Sequence, residues 1–173
     1  MPKWYGGSTL NPAGFVPPRN QWRDQWERLL RWFARVEAIH KKSLRKEIDA
    51  DDNDVVIAFF QNCNHLRDWL KASRPELESD LNALFRGNFE MRACRNICDG
   101  YKHKKLDNPS HPDPDFNLYR EYDPFGLMDG GQPVRPRVVF TDGPDIRKFD
   151  LFELAFECMR LWQGFLLRQG LVT

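Results

Sequence analysis

No stretch of this chain is apolar over anything near the ~20 residues that cross a bilayer as a helix. A membrane-spanning role through an α-helix is not expected. The first residues, "MPKWYGGSTLNPAGFVPPRN", lack the apolar core of a secretory leader and are broken by Gly and Pro, so the expected location is cytoplasmic. Charge of one sign is also missing. The 26 basic and 25 acidic residues leave a formal net charge of +1. Binding to nucleic acid or to a membrane surface therefore has to come from a local patch, because no global field exists to drive it. Cysteine is sparse: Cys63, Cys94, Cys98 and Cys158 make four, none in a CxxC pair, and in a reducing compartment they read as free thiols. There is no glycine-rich phosphate loop and no Ser/His/Asp pattern. No cofactor is expected.

Apolar material is plentiful. Hydrophobic residues make up 41% of the 173 and aromatics 13%, including thirteen Phe and six Trp, which is too apolar for a disordered chain. The length suits one domain, and a chain of this size buries roughly 70% of its unfolded surface, so neither disulfides nor metal are needed for a core.

Periodicity predicts a mainly α fold. Residues 1–19 form an irregular arm punctuated by Pro12, Pro17 and Pro18, and residues 20–173 form a helical bundle domain. Trp22, Trp26, Leu29, Phe33, Val36 and Ile39 recur at intervals of three and four, predicting a first helix from about 20 to 46. The acidic "DADDND" (49–54) ends it and supplies caps for a second helix over about 54–73. The buried face of that helix is Val56, Phe59, Phe60, Cys63, Leu66 and Leu70. Pro75 breaks the pattern. A short helix over 75–86 follows, with Gly87 as its left-handed terminator. A third main helix runs from about 88 to 105, with Met91, Cys94, Ile97, Cys98 and Tyr101 on one side. After the loop "DNPSHPDPD", "FNLYREY" (116–122) and "RVVFTD" (137–142) read as two strands of a short β-hairpin inserted before the last helix. That helix opens at Asp150, with Asp150 and Glu153 as a capping-box-like pair and Phe149 and Leu154 placed for a staple, and closes at Gly170. It is apolar nearly all round, so it is either central in the bundle or buries a second face in a partner. The architecture is a bundle of four main helices with a hairpin insert at about 116–142.

Polar residues with chemical potential fall on the second and third helices. Arg92, Arg95, Asp99 and His103 step by three and four along one stripe, and Gln61, His65 and Asp68 do the same. If these helices are neighbours, His65, Asp68, Arg95, Asp99 and His103 converge. A His beside a carboxylate, with an Arg to steady an oxyanion, suits acid–base cleavage of a phosphodiester without metal. The plainer account is local pairing, Arg95 with Asp99 and His65 with Asp68, worth only ~0.2–0.5 kcal/mol each. Arg92, Lys102, Lys104 and Lys105 form a local basic patch suited to phosphates; lysines at a helix C-terminus also simply complement its dipole. Two metal arrangements are weaker: a four-thiol site from the cysteines, which otherwise serve as small core hydrophobes, and a site from His65, Asp68 and His103. Trp69, beside Asp68, either covers the polar site or packs in the core.

The segments "FFQNCNHLRDWL" (59–70) and "CRNICDGYKHKKL" (94–106), followed by a hairpin and the Cys158, Trp162, Phe165 pattern, resemble a widespread type of uncharacterised bacterial helical-bundle protein with HL-x-DW and D-G-x-KH motifs. The resemblance covers about residues 54–168. More distantly the chain is similar to HEPN-like domains of toxin–antitoxin and phage-defence systems, many of which are metal-independent, dimeric ribonucleases marked by an Arg–polar pair with a downstream His on one helix. Arg95, Asn96 and His103 correspond, although seven residues separate Arg95 from His103, more than that motif's usual gap; a break of the helix at Gly100 would bring them closer. The resemblance implies a metal-independent ribonuclease or a nucleotide-binding bundle, with His103 as acid/base, Arg95 on the phosphate, Asp99 and His65 in support, RNA as substrate, and a homodimer through the last helix. The alternative is a non-catalytic bundle acting through a partner protein, its polar stripe purely structural.

Overall fold

The computed structural model describes residues 21–43, 50–102, 115–121, 135–142 and 145–173. Among these the protein is mainly helical. The N-terminal arm, His103, Lys104, Lys105, His111 and the connection between the two predicted strands lie outside the described residues.

Helix α1, Gln21–Ser43, buries Trp22, Leu29, Val36 and Ile39 and half-buries Trp26 and Phe33. This is the stripe that its spacing predicts. A buried polar residue, Gln25, ties it to the second helix: its Nε2 donates to the Asn62 carbonyl (3.0 Å) and side chain (3.2 Å), and its Oε1 accepts from Arg28 (3.1 Å). With both ends of the amide engaged, its burial leaves no unmet polar group.

Helix α2 spans Ala50–Ser73 and starts four residues earlier than expected. Asp51 and Asp52 stand in its first turn rather than ahead of it. Carboxylates there face the positive end of the helix dipole, and Lys42 of α1 pairs with Asp52 at 2.6 Å, so the acidic run extends the helix. A 3-10 turn, Pro75–Leu77, leads into α3, Glu78–Gly87. Gly87 is not the left-handed terminator expected of it; the helix ends through extended Asn88 (φ −118°), whose side-chain amide donates to the Leu84 carbonyl at 2.8 Å. The amide satisfies a last-turn carbonyl that a left-handed glycine would otherwise have served.

Helix α4, Phe89–Lys102, lies against α2. The Cys94 thiol donates to the Phe60 carbonyl and Asn64 donates to Cys98 Sγ. Both contacts span 34 positions and both step forward by four, so the two helices run in the same direction. Three antiparallel strands follow, β1 (Asp115–Glu121), β2 (Arg135–Asp142) and β3 (Asp145–Asp150), in spatial order β1-β2-β3. The register sets Phe116 opposite Phe140 and Val138 opposite Phe149. Strand β3 was not anticipated: "DIRKFD" is largely charged and carries little intrinsic strand signal, and pairing with β2 supplies what propensity lacks.

Helix α5, Leu151–Arg168, packs against α1, α2, α4 and the sheet. That central position accounts for its apolar faces within one chain; Leu167 alone of its large hydrophobic residues is well exposed, at 48%. The cap that the sequence predicts at Asp150 is present, while Phe149, expected to pack on Leu154, stacks on another helix. Asp150 Oδ1 accepts from the backbone N–H of Phe152 (2.8 Å) and Glu153 (3.4 Å), and Phe149 stacks on Phe89 of α4 with ring centroids 4.7 Å apart. At the other end Gly170 adopts φ +63°. The Gly170 N–H reaches the Leu167 carbonyl and the Leu171 N–H reaches that of Leu166, so the glycine here does serve as a left-handed terminator. No helix is long and apolar enough to cross a membrane among the described residues.

Replacing Asp150 by Ala removes the acceptor for two helix-end donors and should lower unfolding free energy by about 0.5–2 kcal/mol. Urea denaturation followed by far-UV circular dichroism measures it; an unchanged midpoint would show that the cap carries no weight.

Candidate functional site: a polar seam beside a buried thiol cluster

Because α2 and α4 run side by side, the polar edges of both helices form one seam. Arg95 Nε stands 3.6 Å from Asp99 Oδ2, an i,i+4 pair with both side chains partly exposed. His65 and Asp68 are exposed on α2. Arg92 turns away from this edge: its guanidinium donates to the Arg86 carbonyl at the end of α3 (2.6 Å) and lies over the Phe89 ring. Lys102 is the last residue of α4. The five residues expected to converge are thus represented here by Arg95, Asp99, His65 and Asp68, and His65 shares no hydrogen bond with Arg95 or Asp99 among the described residues.

Arg67, which the sequence pattern did not single out, ties α2 to α3 beside this seam. Its Nη2 donates to Asn82 Oδ1 at 2.9 Å, and its guanidinium sits over the Phe85 ring, 4.8 Å from the centroid. Burial lowers its pKa, and the like charge of Arg95 lowers it further, against the opposing pull of Asp68 and Glu78. Its Nε is buried without a hydrogen-bond partner. Asn64, one turn earlier, is in a similar state: its amide nitrogen makes a long contact to Cys98 Sγ (3.7 Å), and its Oδ1 is buried without a partner. The i, i+3, i+7 spacing of Asn64, Arg67 and Lys71 was the signal that could have found this edge of α2.

Immediately inside the seam lies a cluster of sulfur. Cys63 of α2, Cys94 of α4 and Cys158 of α5 place their Sγ atoms within 4.8 Å of one another, all fully buried. Trp162 Nε1 donates to Cys63 Sγ at 3.1 Å. The Cys94 thiol donates to the Phe60 carbonyl (3.5 Å) and that of Cys158 to the Glu90 carbonyl (3.4 Å). Burial by itself pushes the Cys63 thiol up, but the close sulfurs of Cys158 and Cys94 and the Trp162 N–H outweigh it and hold it below the ordinary thiol value. Burial, reinforced by the neighbouring Cys63, holds Cys94 and Cys158 well above the ordinary thiol value. Cys98 is buried but stands outside the cluster, so the four-thiol arrangement is reduced to three. Trp69 is half-buried against the core, as a packing residue would be.

Comparison with protein-family models, with curated proteins and with solved structures finds no match.

Enclosure should dominate thiol chemistry here, since a thiolate reacts only where reagent reaches it. In the native protein all four cysteines are expected to resist a thiol-reactive disulfide and to react at the rate of unfolding. A thiol titrating within seconds under native conditions would contradict this.

Proposed function

We propose that the protein is an HEPN-like bundle, of four main helices with the strand unit as an insert, that holds RNA across the α2–α4 seam. The observation that carries this reading is Arg67 beside Arg95. Two arginines on neighbouring helices are kept close although burial and mutual repulsion both penalise the charge of Arg67, and one N–H of Arg67 has no acceptor. A perturbed charge at a helix edge is a mark of function, and a phosphate held by the accessible parts of the two guanidinium groups would relieve the repulsion. In this reading Arg67 and Arg95 grip the backbone, Lys102, Lys104 and Lys105 extend the basic surface, and His103 serves as acid/base with Asp99, His65 and Asp68 in support. Cleavage would then need no metal. The family context is a bacterial toxin–antitoxin or phage-defence system, acting in the cytoplasm, with a second copy of the chain or a partner protein as the other component.

A second reading is supported by the Arg95–Asp99 pair. An arginine already matched within its own helix needs no ligand, which favours a non-catalytic bundle that works through protein contacts.

The test uses the full chain with structured and single-stranded RNA in EDTA, beside Arg67→Gln, Arg95→Gln and His103→Ala. The proposal expects RNA binding whose logarithmic salt slope falls by about 1 for each arginine removed, and cleavage that is lost in His103→Ala while binding persists. Equal traces from wild type and His103→Ala, with no salt-dependent binding, would overturn it in favour of the second reading.

A further inference from the structure

Cys63, Cys94 and Cys158 come from three different helices yet meet in one fully buried point, with every Sγ within 4.8 Å of the others. The hydrogen-bond partners that close round the sulfurs are neutral: the Trp162 indole on Cys63, the Phe60 carbonyl on Cys94 and the Glu90 carbonyl on Cys158. We propose that these three thiols form a closed binding site for a single soft trivalent ion of the arsenic(III) class.

Donor type makes the first selection. Three sulfurs without a carboxylate or imidazole favour soft, thiophilic ions over hard ones. Ligand number makes the second. Zinc in a structural site takes four ligands in a tetrahedron, and the only other cysteine, Cys98, lies apart and takes its contact from Asn64. Charge makes the third. A buried net charge is costly unless it is compensated. Three thiolates leave a charge of −2 round a monovalent ion and −1 round a divalent one, but a trivalent ion gives a neutral complex that an apolar core accepts. Arsenic(III) is also three-coordinate with a lone pair, so it leaves the fourth direction without a bond.

The reaction balances without oxidant or reductant. Arsenous acid, As(OH)3, exchanges its three hydroxides for three cysteine sulfurs. Three As–O bonds break, three As–S bonds form, and each thiol proton leaves with a hydroxide as water. Arsenic stays trivalent and the sulfurs stay at the thiol oxidation level. The entering molecule is neutral and small. Because the site is fully enclosed, uptake requires a transient parting of the helices and should be slow.

The measurement is titration of the full-length, fully reduced protein with arsenite, read by intact native mass and by thermal midpoint. The expected result is uptake of one arsenic with loss of three hydrogens, a near-ultraviolet sulfur–arsenic absorption band and a raised midpoint. Cys98→Ala should behave as wild type, and Cys158→Ala should take up none while keeping its helical circular dichroism. Peptide mapping of the wild-type complex gives a readout that does not depend on any variant: Cys98 should be the one thiol left open to alkylation on unfolding in the presence of arsenite. No uptake by the wild type, equal uptake by Cys158→Ala, protection of Cys98, or tighter binding of zinc than of arsenite would each overturn the assignment.

Discussion

The packing of this bundle turns on one junction, where the Trp162 indole donates to Cys63 Sγ and Cys94 and Cys158 close the other sides. A tryptophan is expensive to bury unless its N–H finds an acceptor, and the acceptor here is a sulfur supplied by a different helix. Trp162 also meets Phe85 and Phe165 edge-on, at 5.8 and 5.9 Å. One side chain of α5 thus touches α2 through sulfur and α3 through an aromatic ring. The small volume of cysteine is what allows the helices to approach so closely; a leucine at any of the three positions would force them apart, at a typical overpacking cost of about 1–3 kcal/mol.

The polar seam is a consequence of the same junction. Cys63 is followed by Asn64 and Arg67, and Cys94 by Arg95 and Cys98, so the helical turns that send sulfur inward set amides and guanidinium groups along the edge. Fixing the sulfurs fixes the separation of Arg67 from Arg95. Arg67 is further held by Asn82 and by the face of Phe85, which means that α3, the shortest α-helix among the described residues, acts as a brace for the seam. The core and the candidate site are therefore two faces of one packing arrangement, and a change in either should be felt in the other.

Much of this was legible from periodicity. The stripes of α1 and α2, the Met91, Cys94, Ile97 and Cys98 part of that of α4, and the caps at the two ends of α5 follow from spacing and capping chemistry alone, because amphipathic helices carry their buried face in the sequence. What was not legible depended on partners distant in the chain. The early start of α2 draws on Lys42 of the preceding helix. The end of α3 is governed by Asn88 rather than Gly87. Strand β3 exists through pairing with β2. At the site, the i,i+4 pair Arg95–Asp99 was readable, whereas Arg67 was hidden inside a motif whose His and Asp drew attention. The grouping of Cys63, Cys94 and Cys158 without Cys98 could not be read from spacing, since Cys94 and Cys98 share a helix face and only the placement of α5 separates them.

The central claim is that the indole–sulfur contact couples α5 to α2. A double-mutant cycle on Cys63→Ala and Trp162→Phe, measured by urea unfolding, tests it most directly. If the contact is energetically real, the double variant should be less destabilised than the sum of the singles, with a coupling of about 0.5–1.5 kcal/mol. Additivity within about 0.3 kcal/mol would contradict the account and leave the cluster as three small residues filling space.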